Sequence, residues 1–241
     1  MFFPGFLGML LNPFFFARKG LLGHLEDLSG SLYGEILDIG CGIKPYRSLF
    51  KSTGYFGLEL DTEENREKKA ADFFYDGHRF PFESHAFDAV VAFQVFEHVF
   101  NPQEFLLETW RVLHPGGLLL MTLPFLWDEH EQPFDFARYS SFGIRSLLEQ
   151  NGFEIIVQRK SVDDMRVIFQ LTNIYIYKIT RTKSAVLNVM VTLLFMAPLN
   201  ILGQLLSLVL PRNPDLYLDN IVLAKKVNSV RPHGKCASGH T

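Results

Sequence analysis

Two carboxylates and a pair of glycines are the residues of this 241-residue chain best placed to do chemistry. Asp38 lies in Glu35-Ile36-Leu37-Asp38-Ile39-Gly40-Cys41-Gly42, an apolar run leading straight into a turn where Gly40 and Gly42 let the backbone approach a ligand closely. Glu59 stands nineteen residues beyond Gly40, in Tyr55-Phe56-Gly57-Leu58-Glu59-Leu60-Asp61. That is the distance at which an acid at the next strand tip takes two ribose hydroxyls in a βαβ unit. A carboxylate at the loop entrance would repel a pyrophosphate. Pro45 also occupies the place of the third glycine in G-x-G-x-x-G, and no Tyr-x-x-x-Lys pair lies near the cleft, so a nicotinamide cofactor is disfavoured. The pair of acids suits instead an adenosyl ligand bearing an ammonium and a sulfonium, of which S-adenosylmethionine is one.

Further landmarks follow in order: Phe80-Pro81-Phe82, Phe87-Asp88-Ala89-Val90-Val91, Phe96-Glu97-His98-Val99, Arg111-Val112-Leu113-His114-Pro115-Gly116-Gly117 and Thr122-Leu123-Pro124. Together with Leu37 to Gly42 and Gly57-Leu58-Glu59, this ordered set resembles the class I S-adenosylmethionine-dependent methyltransferases. The nearest branch contains the ubiquinone-biosynthesis C-methyltransferases and many small-molecule and glycan O-methyltransferases. The resemblance runs from about residue 34 to residue 160. It implies that the methionine end of the cofactor lies near Asp38, Gly40, Cys41 and Gly42, the ribose on Glu59, and the adenine near Asp76 and Gly77, with Gln94 at the tip of the fourth strand. Lys44 and Pro45 depart from the family's loop, which makes Lys44 a candidate neighbour of the cofactor's carboxylate. The implied activity is methyl transfer to oxygen or carbon of a small-molecule, glycan or lipid-linked acceptor. Gln94-Val95-Phe96-Glu97 does not match the signature of family members that methylate planar exocyclic amines, so nucleobase and glutamine N-methylation are disfavoured. The alternative is a non-catalytic relative that keeps the fold as a scaffold at a membrane or partner protein.

Residues 125 to 139 form the most substrate-like stretch, with Phe125, Trp127, Asp135, Arg138 and Tyr139 as candidate acceptor contacts. His130 is the first candidate for a general base, because an unperturbed imidazole titrates near neutrality. The same histidine also reads as an ordinary loop residue. His98 competes for the role, although its match to the family motif suggests a helix start. Arg138 either grips a carboxylate or phosphate bidentately or pairs with Asp135 to fix the loop.

Strands and helices alternate along the region that must position these groups. Short strands are expected at residues 72–75 and 118–123, and Phe87 to Phe93 is a nearly all-apolar seven suited to burial on both sheet faces. A short helix is expected over 46–51 and a charged one over 61–69. Asn101 as cap and Pro102 at the first position open another helix, and Ser140 opens one stopped by Asn151-Gly152. Phe153 to Gln158 and Asp219 to Lys225 complete the strands. The expectation is an α/β, Rossmann-like, doubly wound seven-stranded sheet with an antiparallel last strand and an apolar helical insert between the last two strands. Ligands of such sheets lie beyond the carboxyl ends of the strands, where Asp38, Glu59, Gln94 and Pro124 fall.

The boundaries are an N-terminal apolar flap (1–33), a cofactor domain (34–160 and 218–227), the insert (161–217) and a disordered polar tail (228–241). From Ser184 to Pro211 no residue is charged, a run longer than a bilayer crossing requires. Pro198 divides it into two pieces, however, and Asn188, Thr192, Asn200 and Gln204 make a polar stripe. A single crossing would also strand the last β-strand on the wrong side. The insert therefore reads as a cap on the substrate cleft lying in a membrane interface, with a wholly internal cap and a dimer interface as the other readings. The flap, broken by Pro4 and Pro13, either packs on the domain or touches a membrane.

A net charge of −3 with no basic block gives no footprint for nucleic acid. The chain has two cysteines, Cys41 and Cys236, which fits a reducing compartment: the cytoplasm, with peripheral attachment to the inner face of a membrane. No C-x-x-C or H-x-x-x-H occurs and the histidines are scattered, so no metal site is expected.

Overall fold

The computed structural model describes residues 4–227, and the expectation for the tail lies outside them. In chain order the strands are β1 (Tyr33–Ile39), β2 (Lys51–Leu60), β3 (Phe73–Tyr75), β4 (Phe87–Phe93), β5 (Leu113–Pro124), β6 (Phe153–Ser161) and β7 (Asp219–Lys226). They form one sheet in the order β3-β2-β1-β4-β5-β7-β6. The first five run parallel, and β7 lies antiparallel between β5 and β6. This is the expected sheet, with the order reversing beside β1, where ligands of doubly wound sheets bind.

Two helical layers cover it. The helices are α1 (Gly8–Leu11), α2 (Phe15–Ser29), α3 (Glu63–Lys68), α4 (Pro102–Val112), α5 (Ser141–Gln150), α6 (Arg166–Thr180), α7 (Ala185–Val191) and α8 (Ala197–Val209). Leu37 and Ile39 face one layer, packing with Phe105 and Leu106 of α4 and Ile144 and Leu148 of α5. Ile36 faces the other, where Leu21, Leu22, Leu25 and Leu28 of α2 pack. Strand alternation dictates this division. The N-terminal segment is thus more than a flap: α2 supplies the cover for one sheet face.

Several local expectations shift. The helix expected over 46–51 is a single 3-10 turn, Arg47–Leu49, because β2 already starts at Lys51 to pair with Tyr33. Asn101 makes no cap bond to a backbone N–H; its amide reaches Glu104 instead. Strand β5 begins at Leu113 and includes His114-Pro115-Gly116-Gly117, absorbing the glycines in a register irregularity against β4.

The insert departs most. Pro198 does not break it: α7, a π-helical turn over Thr192–Met196, and α8 run on as one helix from Ala185 to Val209. Proline in the first turn of α8 removes an N–H where the widened turn has already shifted the bonding pattern. In the polar stripe Thr192 and Asn200 are buried, Asn200 accepting from the Asn173 amide of α6 at 2.8 Å and donating to the Met9 carbonyl at 2.8 Å. Asn188 stays outside on Thr182.

Gln170 ties the insert to α2. No side chain caps the start of α2, but buried Gln170 of α6 accepts from the N–H groups of Phe16 and Ala17 at 3.0 and 3.2 Å and donates to the Pro13 carbonyl at 2.8 Å. Gln170→Leu leaves these buried groups unpaired, so it should destabilise the fold by about 1–3 kcal/mol. A urea melt with an unchanged midpoint would contradict this capping role.

Candidate functional site

The carboxyl ends of β1 and β2 bring Asp38 and Glu59 side by side, since the parallel register sets Asp38 against Gly57 and Ile39 against Leu58. Both acids are buried, at 3% and 8% exposure. Glu59 Oε1 accepts the Gly42 N–H at 2.7 Å and so holds the glycine loop against β2. Asp38 Oδ2 accepts the Tyr55 hydroxyl at 2.8 Å. Burial pushes the Asp38 carboxyl up to about 7; the Tyr55 hydrogen bond and Lys44 oppose this, and the Glu59 charge adds to it. Burial and the same two acids push the Cys41 thiol up to about 12, so it is an inert part of the loop wall.

These residues fit an adenosyl cation. A Cβ placed on Gly42 (φ +54°) would meet no atom within 4 Å, so the loop opens onto free space on that side. Glu59 Oε2 and Asp38 Oδ1 make no hydrogen bond among the described residues. Two carboxylates with spare acceptor capacity, one of them costly to ionise without a counter-charge, suit a diol and an ammonium.

The other expected cofactor contacts have protein partners of their own. Lys44 pairs with Asp72, and its charge also acts on Asp38. Asp76 is exposed and accepts the N–H groups of His78 and Arg79 at 3.0 and 3.2 Å, which makes it a turn former beside Gly77. Gln94, in the left-handed region at φ +57°, turns its amide toward Thr122 and Asp219 at 3.2 and 3.3 Å. Asp219 is fully buried on Ser161, and burial pushes its carboxyl up to about 7.

The loop of residues 125–139 is stitched to the tip of β4, with the N–H groups of Phe136 and Ala137 donating to the Glu97 carbonyl at 2.9 and 3.2 Å. Arg138 binds Asp135 through both terminal nitrogens at 2.5 and 2.6 Å, the second of the two roles considered for it. That pairing holds the Asp135 carboxyl down at about 2. Phe125 stacks on Tyr217 at 4.6 Å, Trp127 meets Phe14 of the N-terminal segment, and Tyr139 lies against Phe96. Lys178 of α6 reaches Asp128 at 2.6 Å, so the insert borders this loop.

His130 does not stand alone. Its Nε2 lies 3.9 Å from Glu97 Oε1, and His98 Nε2 lies 3.9 Å from the same oxygen. Two of the histidines that the sequence leaves scattered come together here: the ligand atoms of Glu97, His98 and His130 all lie within 4.8 Å of one another. The helix-start role suggested for His98 does not hold, because it ends a 3-10 turn (Phe96–His98) and turns its ring to the Phe134 carbonyl at 2.8 Å. Glu97 is the residue least anticipated. Its only outward signal is an acid four residues beyond a nearly all-apolar strand, between Phe96 and His98.

Residues 37–121 match the family model described as a methyltransferase domain. A probable S-adenosylmethionine-dependent methyltransferase of Mycolicibacterium smegmatis is 36% identical over 74 residues, 28% of this chain and 29% of that protein. The match thus spans under a third of that relative's length. Among solved structures, the [4+2]-cyclase SpnF superposes with a TM-score of 0.57 at 18% identity, covering 88% of this chain and 83% of that one. Phosphoethanolamine N-methyltransferase 2 of Haemonchus contortus, in complex with S-adenosyl-L-methionine, gives 0.54 at 18% identity, covering 92% and 56%. At these identities the structural likeness establishes the fold. The match over residues 37–121 and the seven-stranded topology thus give the chain a methyltransferase-like domain fold.

Proposed function

We propose that this protein transfers a methyl group from S-adenosylmethionine to oxygen or carbon of a small-molecule or lipid-linked acceptor. The observation that carries this reading is the pair of buried carboxylates, Asp38 and Glu59, on adjacent strand tips around a glycine loop with an open side. Asp38 faces the cofactor's ammonium and Glu59 its ribose, while Gly40 and Gly42 keep the loop backbone close. When bound, the cofactor supplies an electrophilic methyl: the acceptor's electron pair forms the new bond to carbon as the C–S pair withdraws onto sulfur, and a hydroxyl acceptor must shed its proton. Phe125, Trp127, Asp135, Arg138 and Tyr139 line or brace the acceptor side, and the Glu97–His98–His130 cluster lies where that proton is drawn off. A scaffold without turnover would need no such cluster beside the cofactor loop. Calorimetric titration tests the reading: micromolar binding of S-adenosylmethionine is expected, and no binding at millimolar cofactor would end it.

The insert supports a lipid-side acceptor. Val186, Leu194, Leu205, Leu208 and Val209 on the continuous helix are 56–75% exposed, as are Tyr175 and Ile179 of α6 at 67% and 64%, and Phe6 and Leu7 near the N-terminus at 82% and 64%. Apolar surface of this extent on three segments calls for a cover. Lys178, tied to Asp128, keeps α6 along the body, which favours a helix lying in the membrane plane with Arg181 and Lys183 at headgroup level. The protein should float with anionic liposomes, and Leu194→Glu combined with Leu205→Glu should abolish flotation while leaving cofactor affinity unchanged. Equal flotation of the variant would remove the membrane from this proposal.

A further inference from the structure

Glu97 poses a problem that methyl transfer alone does not solve. Its side chain has no exposure, and both carboxylate oxygens lack a hydrogen-bond partner among the described residues. An unpartnered buried carboxylate costs several kcal/mol unless something neutralises it. Arg138, a nearby cation, is committed through both terminal nitrogens to Asp135.

What faces Glu97 is a pair of imidazole lone pairs. A backbone carbonyl can only accept, so the 2.8 Å contact of His98 Nδ1 with the Phe134 carbonyl places the proton on Nδ1 and leaves Nε2 bare. His130 Nδ1 lies 3.2 Å from the Asp128 carbonyl and 3.3 Å from Asp135 Oδ2, which fixes the same tautomer. Both bare nitrogens lie 3.9 Å from Glu97 Oε1. With three acceptors converging, the missing component is a cation.

We infer that Glu97, His98 and His130 form a binding site for a divalent first-row transition metal ion. Two imidazoles and one carboxylate are a recurring donor set for zinc and related ions, with the remaining coordination position left open. Ligand atoms sit about 2.0–2.2 Å from such an ion, so donors on a tetrahedron lie roughly 3.4 Å apart. The observed separations, 3.9 Å from Glu97 Oε1 to each imidazole and up to 4.8 Å across the set, close to that by rotation of the side chains. The histidines also carry the outer contacts such sites use, a carbonyl on His98 and the Asp135 carboxylate on His130, and Asp135 is itself anchored by Arg138. The histidine side chains are 20% and 29% exposed, which provides an entry path that Glu97 lacks. The inference deepens the methyl-transfer reading and rests on it for its role: an ion here, next to the residues that cover the cofactor loop, lowers the pKa of an acceptor hydroxyl and dispenses with a separate base.

The test uses the full chain, stripped with chelator and titrated with Zn²⁺ by calorimetry and with Co²⁺ by visible absorption. One equivalent is expected to bind, with a Co²⁺ spectrum of a nitrogen- and oxygen-ligated ion and a rise in Tm on adding Zn²⁺. Glu97→Gln and His130→Ala should each weaken binding at least about 100-fold, and Asp135→Asn about 10–100-fold. Glu97→Gln removes the buried charge, so its metal-free Tm should match or exceed that of the parent, and Glu97→Leu supplies a second variant should glutamine itself coordinate. Absence of a stoichiometric site, or binding that survives in both Glu97 variants and in His130→Ala, would overturn the assignment. S-adenosylmethionine titrated against the same samples separates the two proposals: metal binding without cofactor binding defeats the methyltransferase reading and spares the site, and the reverse defeats the site alone.

Discussion

Asp38→Asn is expected to weaken S-adenosylmethionine binding by about 100-fold or more, because it removes the one buried charge facing the ligand's ammonium while keeping the side chain's size. The pH dependence should change with it. Burial raises the Asp38 carboxyl to about 7, so the ligand-free protein below that pH must lose a proton before it can bind a cation there. Affinity should therefore climb as pH rises, by up to about tenfold per unit below 7, and level off above it. The Asn variant should show no such slope. Stability of the ligand-free protein should move the other way. The folded-state value lies above the ordinary 3.8, so the contribution is fully present below that value and is lost as pH rises through about 7. Asp219, also raised to about 7 by burial, acts with the same sign. Urea melts at a series of pH values, with and without cofactor, measure both effects. Affinity that falls with rising pH would place the ligand's positive end elsewhere.

The second large effect concerns the glycine loop. Gly40 has φ +65°, and a Cβ there would sit 2.4 Å from Val95 Cγ2, the residue after the β4 tip. Gly40→Ala combines a left-handed backbone penalty with overpacking, together about 2–5 kcal/mol, and should also abolish cofactor binding. Val95→Ala in the same chain should recover the overpacking share and leave the backbone share. Gly42→Ala offers the contrast. Its Cβ would meet nothing within 4 Å in the ligand-free protein, so stability should fall only by about 1 kcal/mol, the left-handed cost. Cofactor affinity should nevertheless collapse, since the added methyl occupies the space left for the ligand. A Gly42→Ala protein that binds normally would move the cofactor off this side of the loop.

The sheet was readable in the chain because its signals are local. A buried strand such as Phe87–Phe93 is apolar but for Asp88, the strand-helix alternation repeats, and the spacing from Gly40 to Glu59 is one βα unit. Asp38 and Glu59 could be paired from spacing alone, since parallel neighbours in register must bring their tips together. Where local rules compete with a tertiary partner they lose. The 46–51 helix yielded to strand pairing of Lys51, and Pro198 was carried by a widened turn packed on α1 and α6.

What the sequence by itself determined is the cofactor half of the protein: a doubly wound α/β sheet with an antiparallel last strand, and two acids around a glycine turn. Only the tertiary structure brought together the cluster proposed for the acceptor side. Glu97 and His98 lie more than thirty positions from His130, and nothing in their spacing says that they meet. They meet because backbone bonds from Phe136 and Ala137 fold the loop onto the Glu97 carbonyl. The same holds for the N-terminal helix, whose role in covering the sheet depends on Gln170, a glutamine more than 150 residues away. Hydrophobic periodicity reports which face a segment buries, whereas contacts between distant polar groups depend on where the folded backbone delivers them.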